Sequence, residues 1–149
     1  MARLLDHSVE HPVVEVAGSR IALPAERRFG DLAAVQRYAD AVLALDWVRE
    51  RWPAAHRAVR VRERRGPSRA HYERTGAVIA LPVAGRGTRW ALREVVVVHE
   101  LSHHLGPGDD PLHGPSFAGR MLELLDGLVG PEAALLLRVC FGDQGVTWA

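Results

Sequence analysis

No lysine occurs among the 149 residues, so all 19 basic side chains are arginines. Schiff-base catalysis and P-loop nucleotide hydrolysis each place a lysine at the reacting centre, and both are excluded. Cysteine is nearly as scarce. Cys140 stands alone, which forbids an intramolecular disulfide and a multi-cysteine zinc ribbon. A metal bound by this chain must therefore be held by His, Asp or Glu. Long apolar runs are missing too: Val95–Val98 and Ala133–Leu137 fall far below the roughly 18–20 residues that span a bilayer, so no membrane partner is expected. The segment from Met1 to Val16 mixes Arg3, Asp6, His7 and Glu10 and has no signal-peptide core, so a cytoplasmic protein is expected. A strong excess of either charge is absent as well. The formal net charge of +1 gives no global pull toward nucleic acid.

What remains is 48% hydrophobic and 25% charged, near the globular average, at a length that suits one domain. Val13–Val16 and Arg20–Leu23, around Gly18-Ser19, are extended candidates for a hairpin. Asp31 can N-cap a helix running to about Trp52, where Pro53 ends it. Residues 58–64 alternate Val59 and Val61 with Arg60 and Arg62, the period of a half-buried strand. Ala77–Leu81 is a short apolar run before Pro82, which suggests a strand at a sheet edge. Helical patterns follow over Arg89–Leu105, Pro115–Leu128 and Pro131–Phe141, the last two opening on a proline suited to a first helical position. Strands and one helix followed by a run of helices predict an α+β single domain.

Eight histidines are present, and two of them sit in His99-Glu100-Leu101-Ser102-His103, an HExxH pattern. On a helix, residues four apart share a face, so both imidazoles can reach one ion, with Glu100 about 100° round from His99 and placed to act on a water. On a strand the same histidines would lie about 13 Å apart and could not share an ion. The helix is the better reading, because Trp90 to Leu105 contains neither Gly nor Pro and ends at Gly106-Pro107. Four consecutive valines lower helix propensity, so this helix must be central and buried. The pattern matches zinc hydrolysis, in which Glu100 serves as general base toward a carbonyl polarised by the metal.

A catalytic zinc takes three protein ligands and keeps one position open. His113, ten residues beyond His103, is the favoured third ligand. Asp109, which completes HExxHxxGxxD, and Glu123 on the following helix are the alternatives. His104 points about 140° away from His99 on the helix and reads as a supporting residue.

His99-Glu100-x-x-His103, a loop, and then His113-Gly114-Pro115-Ser116-Phe117 resembles the SprT-like zinc metalloproteases over roughly residues 77–125. The resemblance implies a minimal zincin fold with one zinc per chain held by His99, His103 and His113, and Glu100 as general base. It also implies a peptide or protein substrate laid along an edge strand, the place occupied by Ala77–Leu81. The loop to His113 is shorter than in the DNA-repair members, and no cysteine-rich ribbon follows. The HExxHxxGxxD pattern resembles small secreted zincins instead, and Met121 resembles the methionine of a metzincin turn, but it falls in a helical pattern and reads as core.

A rival class is a zinc-stabilised binding module that uses Arg57–Arg74 to hold nucleic acid or a protein partner. That segment carries seven arginines against two glutamates. A solvated strand face is the favoured reading of it, since only Tyr72 interleaves as a stacking residue. Tyr72 reads as a packing residue, with an oxyanion donor as the alternative. His7, His11 and His56 read as surface residues, Cys140 as buried, and Trp47, Trp52, Trp90 and Trp148 as core.

Overall fold

The computed structural model describes residues 13–16, 19–22, 26–66, 68–84 and 87–149. In chain order the elements are β1 (Val13–Val16), β2 (Ser19–Ala22), α1 (Leu32–Ala44), α2 (Asp46–Arg51), β3 (Arg60–Glu63), β4 (His71–Glu73), β5 (Val78–Leu81), α3 (Glu94–Leu105), α4 (Pro115–Leu128) and α5 (Pro131–Asp143). Short 3-10 turns at Pro53–His56 and Arg89–Leu92 precede β3 and α3. This is the α+β class anticipated from the element pattern. No helix among the described residues is long and apolar enough to cross a membrane. His7 and His11 lie outside the described residues. The chain divides into two compact units, Met1–Glu26 with Pro111–Ala149, and Arg27–Asp110.

In the first unit, β1 and β2 pair antiparallel from Val13↔Ala22 to Val16↔Ser19, the expected hairpin. Helices α4 and α5 each open on a proline, whose missing N–H is no loss at that position. Val129 and Gly130 join them, and both N–H groups donate to the Leu125 carbonyl at 2.9 Å. Gly130, at φ 142°, makes the left-handed departure that an L side chain resists. Met121 is buried in α4, as expected of a core residue. A Cβ on Gly119 would overlap the Ala149 carbonyl, so glycine is what lets the segment around Ala149 lie on α4.

In the second unit, Asp31 caps α1 by accepting from the Ala34 N–H at 2.8 Å. The single helix expected from 31 to 52 is in fact two. At Leu45 the backbone turns extended (φ -64°, ψ 132°) and α2 restarts at Asp46. The Arg49 Nε–H donates to the Leu43 carbonyl at 2.8 Å, which helps satisfy the end of the broken ladder.

The sheet order is β3-β5-β4, with β3 parallel and β4 antiparallel to β5. This overturns the expected edge position of Ala77–Leu81: β5 is the central strand and all four of its residues are buried. Pro82 follows the last paired residue, so its missing donor takes nothing from the ladder. The edges are β3 and β4. On the outer side of β3, Gln36 of α1 stands in for a neighbouring strand: its Nε2 donates to the Val59 carbonyl at 2.9 Å, and the Val61 N–H donates to its Oε1 at 2.7 Å.

Nine of the twelve residues of α3 are buried, Val95, Val97 and Val98 among them. Burial of this kind outweighs the weak helix propensity of β-branched residues. Residues 27–29 run antiparallel along its start, with Phe29 N–H to Leu92 C=O and Glu94 N–H to Arg27 C=O, both 2.9 Å. Trp52 is buried, but Trp47 and Trp148 are exposed, so the four tryptophans do not share the core role expected of them. Cys140 is only half-buried.

Replacing Gln36 by Ala strands the Val61 N–H and the Val59 carbonyl at the outer edge of β3. Chemical denaturation should show a loss of about 1–3 kcal/mol, with Gln36→Glu, which keeps the acceptor, losing less. Unchanged stability in Gln36→Ala would remove the proposed edge cap.

Candidate metal centre

His99 and His103 lie one turn apart on α3, with ring centroids 5.1 Å apart and ring planes at 73°. The strand alternative, with its separation of about 13 Å, is thereby excluded. His113 follows on a turn in which the Gly114 N–H donates to the Pro111 carbonyl at 3.2 Å. It occupies the third position of that turn at φ 59°, a place that type II turns usually give to Gly or Asn. The Phe117 ring, one helical turn on, stands edge-on to the His113 imidazole at 4.9 Å between centroids. Gly114 leaves little room beside it, since a Cβ there would meet the Pro111 Cβ at 3.3 Å.

Each of His99, His103 and His113 offers a ligand atom, and these atoms lie within 4.8 Å of one another, so the three could hold a metal ion. Neither Asp109 nor Glu123 belongs to this group, which is the one such group among the described residues. Tetrahedral coordination at about 2.0–2.1 Å sets nitrogen separations near 3.4 Å, inside the 4.8 Å limit of the group. Three neutral imidazoles suit a borderline divalent cation and leave further positions open.

Glu100 is only 5% exposed. Burial pushes its carboxyl up to about 7 from an ordinary 4.5. A buried, perturbed carboxyl beside the histidine group is the pattern that acid–base catalysis uses.

His104 is fully buried and takes no part in the group. Its Nε2 donates to the Arg57 carbonyl at 2.8 Å and its Nδ1 accepts the Tyr72 hydroxyl at 2.8 Å. Burial lowers its pKa, which keeps the ring neutral and suits that acceptor role. Tyr72, with its pKa raised by burial, has its hydroxyl engaged by His104, which fits the packing reading and takes away the oxyanion alternative.

Two contributors escape sequence reasoning. Glu94, at the first position of α3, accepts from the Arg27 N–H at 3.0 Å, from Arg27 Nη1 at 2.9 Å and from the Tyr38 hydroxyl. Arg74 donates to the carbonyls of His103 at 2.9 Å and Gly106 at 3.0 Å, at the other end of the helix. Their partners lie 29 to 67 residues away, and no motif spacing encodes such pairs. Within the arginine segment, Arg57 also serves the Thr75 carbonyl, Arg62 pairs with Glu73, and Arg64 serves the Arg69 carbonyl, so four of the seven arginines fasten local structure.

Compared with known family models, curated proteins and solved structures, the chain matches none.

Two outcomes follow from this geometry. His113→Asn suits the left-handed turn, so the metal-free protein should melt close to wild type, whereas His113→Val should lose about 1–2 kcal/mol. Equal melting of the two variants would show that the turn imposes no strain. For Glu100, the folded pKa lies above the unfolded one, so the folded state binds the proton more tightly. The metal-free protein should lose stability as pH rises from about 4.5 to about 7, then level off. Glu100→Gln should remove that slope in pH-dependent denaturation.

Proposed function

We propose that the protein is a zinc-dependent metallohydrolase that cleaves peptide or related amide bonds, with His99, His103 and His113 as the metal ligands and Glu100 as general base. The observation that carries this reading is the grouping of three ligand atoms within 4.8 Å, with the buried Glu100 directly following His99 on α3. A site that only stabilised the fold would have no use for a desolvated carboxyl beside its ligands. Zinc supplies Lewis acidity at such a centre, polarising a carbonyl and making water acidic near neutral pH. Glu100 accepts the proton of the attacking water and returns it to the leaving amine. His99 and His103 are held one turn apart by α3, and His113 by the Pro111–Gly114 turn. The His-Gly-Pro-x-Phe sequence after the loop adds the resemblance to SprT-like metalloproteases.

An extended substrate would lie along β4, not along the buried β5. Tyr72 and Arg74, in and next to β4, bond to His104, His103 and Gly106, which sets this edge beside the end of α3. Main-chain hydrogen bonds from a peptide can complete such an edge. The alternative, a zinc-stabilised module that binds nucleic acid through Arg57–Arg74, draws less support, because four of those arginines already hold local contacts.

Metal analysis of the purified protein should give about one zinc per chain, falling to none in His99→Ala. Glu100→Gln should keep the zinc and lose about 10²–10⁴-fold in peptide hydrolysis. Hydrolysis undiminished in Glu100→Gln would sink the catalytic assignment, and absence of zinc from the wild type would sink the metal assignment.

A further inference from the structure

An α-helix ends with carbonyls that have no partner within the helix, and a glycine in left-handed conformation commonly satisfies them. Helix α3 ends on a glycine but does not use that solution: Gly106 is extended, at φ -82° and ψ 157°. Its N–H donates to the His103 carbonyl at 3.3 Å, and a side chain from the turn between β4 and β5 reinforces this end. Arg74 donates from Nη2 to the His103 carbonyl at 2.9 Å and from Nη1 to the Gly106 carbonyl at 3.0 Å. Its aliphatic stem lies beside Gly108, where an added Cβ would stand 3.5 Å from the Arg74 Cδ. The guanidinium also sits 5.6 Å from the centroid of the Tyr72 ring, whose hydroxyl bonds His104. One side chain thus touches the backbone of a metal-ligand candidate, the residue where the helix ends and the connector that leads to His113.

We propose that Arg74 is a positioning residue of the metal centre, fixing the last turn of α3 and the departure of the connector so that the His103 ligand is held before metal arrives. This rests on the reading of the three histidines as a metal site. A planar fork that bonds two carbonyls restricts both angle and distance, which a single ammonium cannot do. Its positive charge also suits the negative end of the helix. Preorganisation of this kind acts on metal affinity. A helix cap without that role would act on stability alone.

The test uses the full chain and four proteins: wild type, Arg74→Met, Arg74→Lys and Arg57→Met. Zinc affinity is measured by competition with a chromophoric chelator, cobalt(II) substitution reports ligand geometry by its visible absorption, and the metal-free proteins are melted in parallel. Arg74→Met should weaken zinc binding about tenfold or more and shift the cobalt bands. Arg74→Lys should recover part of the loss, and Arg57→Met, whose side chain serves only the Thr75 carbonyl in this region, should stay within about twofold of wild type. If wild type binds zinc and Arg74→Met binds it within twofold, or more tightly because a nearby positive charge has gone, the positioning role is overturned while the metal site stands. If wild type binds no zinc, the metal-site reading falls and this role falls with it. Should Arg74→Met fail to fold in the metal-free melt, Arg74→Lys decides alone: zinc affinity equal to wild type overturns the proposal.

Discussion

Helix α3 can exist only while its apolar surface is covered. Its run of valines resists helix formation in water, and burial supplies what propensity does not. A buried helix, however, leaves unsatisfied N–H groups at one end and carbonyls at the other, and water is poorly placed to serve them. Two long-range fastenings meet that demand. At the amino end the Glu94 N–H donates to the Arg27 carbonyl while its carboxylate, which also suits the helix dipole, gathers Arg27 and Tyr38, and Arg74 holds the carbonyls at the far end. The histidine pair sits between these clamps. Its geometry depends less on the helix's own stability than on contacts made by residues far away in sequence.

The same logic explains the unusual company kept by Glu100. Covering α3 tightly enough to hold it also desolvates the carboxyl, so the packing that orders the site raises that group's pKa toward the range useful for proton transfer. His104 shows the opposite result of equal burial. It finds a donor and an acceptor in Tyr72 and the Arg57 carbonyl, and it becomes part of the fold. Two neighbouring polar residues on one helix therefore separate into a reactive candidate and a structural one according to what packs around each.

Much of this was legible in the sequence, and the exceptions have physical causes. The helical state of residues 94–105 was readable because no Gly or Pro interrupts the pattern and a Gly-Pro pair closes it. The hairpin, the α1 cap at Asp31 and the proline starts of α4 and α5 were readable for the same reason, since local chemistry decides them. The break at Leu45 was not, because no residue there forbids a helix, and the extended backbone is compensated by Arg49 from the following turn. The central place of β5 was misjudged because Pro82 reports where a strand stops and says nothing about what pairs on either side. An unalternating Val-Ile-Ala-Leu run is the better indicator, being apolar toward both faces. In the site, the histidines and Glu100 announce themselves by spacing. Arg74, Glu94 and Gln36 do not, because their partners come from other elements.

The amide of Gln36 has a consequence for how this protein behaves in a crowded solution. An open strand edge invites another chain to continue the sheet, and two such edges allow growth without limit. By pairing with Val59 and Val61, Gln36 closes one side of the sheet with a side chain that cannot itself be extended. The other edge, β4, is three residues long and carries His71 and Glu73, too short and too polar to nucleate a stack. The sheet is thereby left with one short polar edge instead of two open ones, which limits its capacity to associate edge to edge.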